Sequence, residues 1–379
     1  MLAYIFPFLT ILSLLSDLIS RFYGVSYTEN YLKKISVIFS IFLASIFSFY
    51  SFSDTGNYAD SFNYDTFNQC GYGVFIGCKP SYVNYETGYL ALMSIFSFLE
   101  VPFLFFRWLI FFFIICIKFL FFSHFPKIYF IAIAVYSSFF LYPELNWLRH
   151  GLASSFIVLI LLLLVRNKIL PAFISFILSS SIHVASLSFI PVVLISRYKD
   201  YIYRHLGVIS LCCLFFIIFF LSDRHIFHDI FSYVINSLGS DRLSERFALY
   251  SHPTLTTGGI EKNLFSGSNF FFTSAILFFV FHRKSNDLKY FYYYNHFVVI
   301  SFMVAVSYLL FFNSFAILSD RLFRLYSGPI SIFTALILLR SLFYVPNAIR
   351  ALGVIVLYMF LVYVSFIYLK PTYISFISN

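Results

Sequence analysis

The sequence predicts an all-α, polytopic integral membrane protein, and the composition is the main basis of that prediction. Of the 379 residues, 61% are hydrophobic and only 11% are charged, whereas about a quarter of the residues of a soluble protein are charged. The mean hydropathy is +0.88. These values exclude a soluble globular protein, a disordered chain and a nucleic-acid-binding protein.

Apolar runs separated by short polar segments account for most of the chain. A helix that crosses a bilayer needs about 20 predominantly apolar residues. Runs close to that length occupy residues 2–19, 35–51, 101–122, 126–143, 150–165, 206–221, 268–282, 291–313, 322–339 and 350–369. They predict a single transmembrane domain over residues 1–379.

Two further apolar stretches, 87–99 and 169–196, do not fit simple spans. The first is too short for a relaxed crossing, and the second runs between two basic segments with His183 near its centre. We interpret each as a re-entrant hairpin or a pair of short tilted helices, which is tolerated only beside protein or a water-filled cavity. The whole chain is then expected to have about 10–12 spans around a polar cavity.

The formal net charge of +9 reflects the arrangement of the polar segments. Every second segment, in a set that runs from Arg21 to Arg350 and includes Lys118, is rich in Lys and Arg. This set holds 15 cations and four acids, and the remaining segments hold ten cations and twelve acids. Because Lys and Arg accumulate on the cytoplasmic side, we expect the basic set to face the cytoplasm and the N-terminus to lie outside.

Two long segments, 52–86 and 222–267, fall on the other, external side of the membrane. Both are rich in Tyr, Asp, Asn and Gly, which suit sugars because rings stack on their CH faces and polar groups bond their hydroxyls. The alternative is that they are solvated loops with interfacial aromatic residues. Cys70 and Cys78 lie in the first segment, where the oxidising compartment permits a disulfide or two free thiols.

Several charged residues lie where a membrane protein rarely places them without a function. Arg149 opens one apolar run from the outside, and Arg321 and Arg324 open another and share one helical face. Outward-facing guanidinium groups that converge predict an anion site, because Arg binds phosphate in a bidentate manner. The alternatives are snorkelling to headgroups for the arginines and a helix–helix hydrogen bond for His183.

Five short motifs follow one another along the chain, in an order typical of one family. They are Ser53-Asp54-Thr55-Gly56-Asn57-Tyr58, Tyr85-Glu86-Thr87-Gly88-Tyr89, Leu148-Arg149-His150-Gly151-Leu152-Ala153, Ser181-Ile182-His183-Val184-Ala185-Ser186 and Asp320-Arg321-Leu322-Phe323-Arg324-Leu325-Tyr326. Together they resemble the EpsG-like branch of the Wzy O-antigen and exopolysaccharide polymerases. The chain departs from the family pattern before Asp54, where Phe-Ser replaces Gly-Thr, and at His150, where the family has Gln.

The resemblance implies a fold akin to GT-C-type membrane glycosyltransferases and a function as a repeat-unit polymerase. Such an enzyme joins undecaprenyl-diphosphate-linked oligosaccharides at the periplasmic face of the bacterial inner membrane. It works without a metal or other cofactor if Arg neutralises the departing diphosphate. Its partners would be the lipid-linked oligosaccharide, membrane lipid, a chain-length regulator and a flippase, and no nucleic acid is involved.

The site residues that this reading predicts fall into three groups. The general base is sought among His183, Glu86, Asp54 and His150; His183 and Glu86 are preferred to Asp54, and His150 comes last. The diphosphate ligands are Arg149, Arg321 and Arg324, and Asp320 is expected to pair with Arg321. His150 and Tyr326 are predicted to make other substrate contacts.

Two other functions fit a polytopic chain of this kind. A flippase for lipid-linked oligosaccharides would show internal repeats and charges near the middle of the membrane. No repeat relates the two halves of the sequence, and the unusual arginines all lie externally. Another membrane glycosyltransferase, such as the O-antigen ligase, remains open from the sequence.

Overall fold

The computed structural model describes residues 4–24, 27–49, 85–202, 204–205, 208, 286–311, 321–341, 355–356 and 358–365. In these ranges the chain is helical and has no β-strand. Three of the described helices are long and apolar enough to cross a membrane, and several shorter apolar helices accompany them. The predicted all-α, polytopic membrane protein is therefore confirmed. The predicted spans 206–221 and 268–282, and the predicted loops 52–86 and 222–267, lie outside the described residues, except for residues 85, 86 and 208.

The chain divides into two compact units, which are described separately. Unit 1 contains residues 1–187 and 327–379, and unit 2 contains residues 188–326. In unit 1 the helices are α1 (Ile5–Phe22), α2 (Glu29–Ser48), α3 (Thr87–Phe98), α4 (Phe103–Ser123), α5 (Tyr129–Phe139), α6 (Leu141–Asn146), α7 (Leu148–Val165) and α8 (Ile169–Ile182). It also contains α11 (Ser327–Ser341), while α9 (Ile190–Ser196) and α10 (Asn286–Phe311) belong to unit 2.

Helices α4, α5 and α7 form the centre of unit 1. Helix α5 is apolar all round and is buried from Ile131 to Ser138, as expected for a helix enclosed by neighbours. Helix α4 packs against α2 and α7, and α1 packs against α5. The predicted span 126–143 is wrong in one respect, because the helix breaks at Phe140. Pro143 explains the break, since its ring clashes with the carbonyl four residues earlier and it lacks an N–H.

Buried hydroxyl groups connect these helices. Ser36 of α2 donates to the Leu32 carbonyl of its own helix (2.8 Å) and lies 2.8 Å from the Tyr129 hydroxyl of α5. Thr10 of α1 likewise donates to the carbonyl one turn earlier (3.1 Å) and lies 3.0 Å from Ser137 Oγ of α5. Each hydroxyl thus has a partner in its own helix and another in a neighbouring helix.

Charged residues meet at one end of unit 1, where α2 begins and α4 and α7 end. Glu29 Oε1 pairs with Lys33 Nζ at 2.5 Å, and Arg166 donates to His124 Nε2 at 3.0 Å. Burial lowers the pKa of His124, and its hydrogen bond to the Leu120 carbonyl offsets only part of that effect. Helix α7 has 18 residues, so its first residue, Leu148, lies about 27 Å from this end. That distance is close to the hydrocarbon thickness of a bilayer.

Both stretches predicted to be irregular are short or broken. The stretch 87–99 forms α3, a helix of 12 residues. The stretch 169–196 is broken as predicted, because α8 ends at His183, whose backbone is extended, and a 3-10 helix follows over Val184–Phe189. Whether either is re-entrant stays a prediction.

In unit 2, α9 packs against α10. The hydroxyls of Tyr308 and Tyr326 both donate to the Ser188 carbonyl, at 2.8 and 2.6 Å. The Tyr326 ring is fully buried and stacks on Phe189 with 6.4 Å between ring centroids.

Candidate active site

The candidate site begins at Glu86, the residue that precedes α3. Its backbone is extended (φ −70°, ψ 148°), and its carbonyl accepts the first helical hydrogen bond from Leu90 N at 3.1 Å. A carboxylate at a helix N-terminus lies near the positive end of the helix dipole, which favours its ionised form. The local sequence therefore places a negative charge at the start of a short apolar helix.

Gly88 brings Glu86 to the broken end of α8. A Cβ atom added to Gly88 would lie 2.2 Å from Ser181 Oγ and 2.7 Å from the Ser181 carbonyl carbon. Atoms cannot approach that closely, so only glycine permits α3 to pack on this turn of α8. The contact places Glu86 beside His183, which ends α8.

His183 contacts Glu86 directly. His183 Nδ1 lies 2.9 Å from Glu86 Oε1, and because an ionised carboxylate only accepts, Nδ1 donates the proton. The lone pair of the neutral imidazole is then on Nε2. The His183 side chain is 13% exposed and the Glu86 side chain 23% exposed, so the pair lies in a recess that is still open to its surroundings.

Arg149 completes this group from the start of α7. Its Nη1 donates to the other carboxylate oxygen of Glu86, Oε2. The guanidinium carbon lies 4.4 Å from the centroid of the Tyr85 ring, a cation–π distance. Two consecutive residues therefore contact one guanidinium group: the Tyr85 ring faces its plane, and the Glu86 carboxylate bonds its edge.

The charge state of Glu86 follows from its surroundings. Burial alone would raise the pKa of its carboxyl group, but the hydrogen bond from His183 and the charge of Arg149 outweigh burial. Together they lower the pKa from 4.5 to about 2. Glu86 is therefore ionised at neutral pH, and it is a weak base that orients and neutralises its two partners.

His150 lies behind this group. Its side chain is buried, with a relative exposure of 4%. Its ring meets the His183 ring edge to face at 5.6 Å and the Trp147 ring at 6.1 Å. His150 therefore packs against the imidazole of His183, and its predicted contact with substrate stays a prediction.

Four of the predicted site residues, Glu86, Arg149, His150 and His183, are thus brought together in unit 1. Asp54, together with Asp320, Cys70 and Cys78, lies outside the described residues. The remaining three, Arg321, Arg324 and Tyr326, belong to unit 2. Both arginines are half-buried, and the Tyr326 hydroxyl is bonded to a backbone carbonyl. A cavity shared by Arg149 and these two arginines stays a prediction.

Sequence reasoning missed two features beside the site. Tyr85 belongs to the second of the five motifs but was not predicted as a site residue. Its stacking on Arg149 joins residues that are far apart in the chain, and the sequence does not reveal such contacts. Lys118 was assigned to a cytoplasmic basic segment, and this is wrong. It lies inside α4, fully buried, 3.1 Å from Glu144 Oε1. The sequence offered one Lys and one Glu in apolar surroundings, where charges need opposite partners, but it did not show that these two residues pair.

Comparison with known proteins agrees with the motif order along the chain. The family model that matches is that of the EpsG family, over residues 30–378. The chain has no match among curated proteins or among solved structures. The family match covers most of the chain, including Glu86, Arg149 and His183, and confirms the resemblance drawn from the five motifs. The chain therefore belongs to the EpsG family of polysaccharide polymerase-like membrane proteins.

Proposed function

We propose that this chain polymerises O-antigen or a related surface polysaccharide. It joins undecaprenyl-diphosphate-linked repeat units at the periplasmic face of the bacterial inner membrane, without a metal. The observation that carries the proposal is the contact of His183 and Arg149 with the two oxygens of one carboxylate, Glu86. This arrangement offers a base and a cation at the same place, which transfer from a glycosyl diphosphate requires.

The proposed reaction is a displacement at the anomeric carbon of the growing chain. A hydroxyl oxygen of the incoming unit forms the new glycosidic bond, and the bond from that carbon to the diphosphate oxygen breaks. The hydroxyl proton passes to a base on the enzyme, and the lipid diphosphate leaves with the bonding electrons. Each turnover therefore adds one repeat unit and releases one lipid diphosphate.

His183 is the proposed base. Its Nδ1 proton is held by Glu86, which orients the ring and leaves Nε2 to accept the proton of the acceptor hydroxyl. A hydrogen-bonded carboxylate also stabilises the imidazolium that forms, in the way that the acid of a catalytic triad does. Glu86, whose pKa is lowered to about 2, acts here as the orienting group, and Asp54 remains the alternative base.

Arg149 is the proposed ligand of the leaving diphosphate, and Arg321 and Arg324 are proposed as further ligands. The Tyr85 ring covers one face of the Arg149 guanidinium, which fixes the plane of the fork before substrate binds. Such preorganisation makes a cation most effective, because no rearrangement is needed when charge develops on the leaving group.

A substitution at His183 tests the base directly. Asn at position 183 keeps an N–H donor toward Glu86 but has no basic nitrogen. In a null strain complemented at equal membrane levels, His183→Asn should abolish long chains and leave single repeat units. His124→Asn, at the other end of the bundle, should leave long chains intact. Long chains made by His183→Asn would show that this imidazole is not the base.

A gel of polysaccharide from the deletion strain separates the three classes of function. Loss of a polymerase leaves lipid A core capped with one repeat unit. Loss of a ligase leaves the core uncapped, and loss of a flippase traps units on the cytoplasmic side. An uncapped core, or units trapped inside, would reject the proposed polymerase.

A further inference from the structure

A polar group lies buried within unit 1, away from the residues of the candidate site. Lys118 of α4 and Glu144 of α6 both have fully buried side chains. Lys118 Nζ donates to Glu144 Oε1 at 3.1 Å, to Ser154 Oγ of α7 at 2.6 Å and to Ser327 Oγ of α11 at 2.5 Å. One ammonium group thus joins four helices.

The group satisfies its own hydrogen-bonding capacity. The number of acceptors, three, equals the number of N–H donors of a Lys ammonium group. Glu144 Oε1 also accepts from Ser154 at 3.0 Å and from Ser327, and Glu144 Oε2 accepts from the Tyr136 hydroxyl at 2.6 Å. A network of this kind has its bonds committed to the protein, which is typical of a rigid support and not of a ligand site.

The network is connected to Arg149 through the backbone. Glu144 belongs to α6, a helix of six residues that directly precedes α7. A Cβ added to Gly151 would lie 2.4 Å from the Glu144 carbonyl oxygen. The backbone of α6 therefore rests on the first turn of α7, the turn that carries Arg149. A shift of Glu144 toward α7 would push on that turn, because no space separates the two backbones.

We infer that Lys118 is a positioning residue, which holds α6 against the first turn of α7 and so sets where Arg149 meets Glu86. Its effect on the reaction rests on the proposed function, whereas its effect on the Arg149–Glu86 contact does not. Burying the Glu144 carboxylate without a cation is costly, and Lys118 supplies the cation together with bonds to α7 and α11.

The coupling between Glu86 and Arg149 is the quantity to measure. It is obtained from the unfolding temperatures of four full-length proteins in detergent: the parent, Glu86→Gln, Arg149→Gln and the double variant. Emission from Trp108 and Trp147 follows unfolding. The same four proteins are then made with Lys118→Met added. A general loss of stability shifts all four temperatures together and leaves the coupling unchanged.

We expect Lys118→Met to remove at least about half of the coupling. Lys127→Met, the same substitution at an exposed cation close by in the chain, should preserve it. If Lys118→Met does not fold, Lys118→Met/Glu144→Gln takes its place, because the neutral pair leaves no buried charge. It should lose the coupling as well, because Met cannot donate to Ser154 or Ser327. An undiminished coupling in the proteins that carry Lys118→Met overturns the inference.

Polymer yield per folded protein gives the second measurement. A drop of about tenfold or more in Lys118→Met, with Lys127→Met unchanged, supports positioning of a catalytic arginine. A yield equal to that of the parent, despite a lost coupling, overturns that role. If the unmodified protein itself joins no repeat units, the proposed function fails, while a lost coupling still supports the positioning of Arg149.

Discussion

Replacing Glu86 by Gln removes one negative charge from between an imidazole and a guanidinium group. The pKa of this carboxyl is lowered from 4.5 to about 2 by its partners. A shift of one pKa unit corresponds to 1.36 kcal/mol, so the lowered pKa of Glu86 corresponds to about 3 kcal/mol of unfolding free energy at neutral pH. The side chain is 23% exposed, so solvent screening reduces the expected loss of unfolding free energy to about 1–3 kcal/mol.

The pH dependence has a definite sign. A carboxyl group whose pKa is lower in the folded state stabilises the fold when it is ionised. The stabilisation by Glu86 is therefore complete above the unfolded-state pKa of 4.5 and is lost as the pH falls toward about 2. The parent and Glu86→Gln should differ most near neutral pH, and their unfolding free energies should converge in strong acid.

Unfolding in a non-ionic detergent, followed at neutral pH and at pH about 2.5, measures both quantities. Glu100→Gln is the matched control, because Glu100 is an exposed acid just beyond the other end of α3. It should leave the unfolding free energy within about 0.5 kcal/mol of the parent value. A difference between the parent and Glu86→Gln that is absent at neutral pH, or that grows in acid, would refute the electrostatic reasoning.

Two further predictions rest on the same geometry, and a third rests on the distribution of Lys and Arg along the sequence. Arg149→Lys should lower polymer yield at least about tenfold, because an ammonium group loses both the stacking and the planar fork; a yield equal to that of the parent would contradict this. Gly88→Ala should destabilise the protein by about 1–3 kcal/mol, as measured by unfolding in detergent. Adding Ser181→Gly should recover part of that loss, since it removes two of the three close atoms; no recovery would mean that the clash lies elsewhere. Cysteines placed at Tyr82 and Thr256 should react with an impermeant thiol reagent in cells with a permeabilised outer membrane, and protection of either would reject the periplasmic assignment.

The sequence was sufficient for features that depend on neighbouring residues. The break at His183 was predictable because a run of serines and a lone imidazole interrupt an apolar stretch. The apolar run after Glu86 was recognisably short, although a hairpin or a pair of short helices was expected there and the structure has one helix. Arg149 was expected at a helix start because the preceding residues are polar and aromatic. In each case the signal is local, and tertiary packing preserves it.

Features that depend on packing between distant segments were not predictable. Lys118 lies near the end of an apolar run, where the sequence cannot distinguish a snorkelling cation from a buried one. The distinction rests on Glu144, Ser154 and Ser327, which come from three other helices. The Pro143 break was visible in the sequence, but an uninterrupted span of normal length was the simpler interpretation.

The hydroxyl bonds between helices bear on how this bundle can move. Thr10, Ser36 and Ser155 each donate to a carbonyl one turn earlier in their own helix. If a neighbouring helix slides away, such a hydroxyl keeps its acceptor and does not itself become a bare donor. The bonds between helices therefore resist separation weakly, and breaking them costs little free energy. A bundle fastened in this way can widen and close while its backbone hydrogen bonds stay intact.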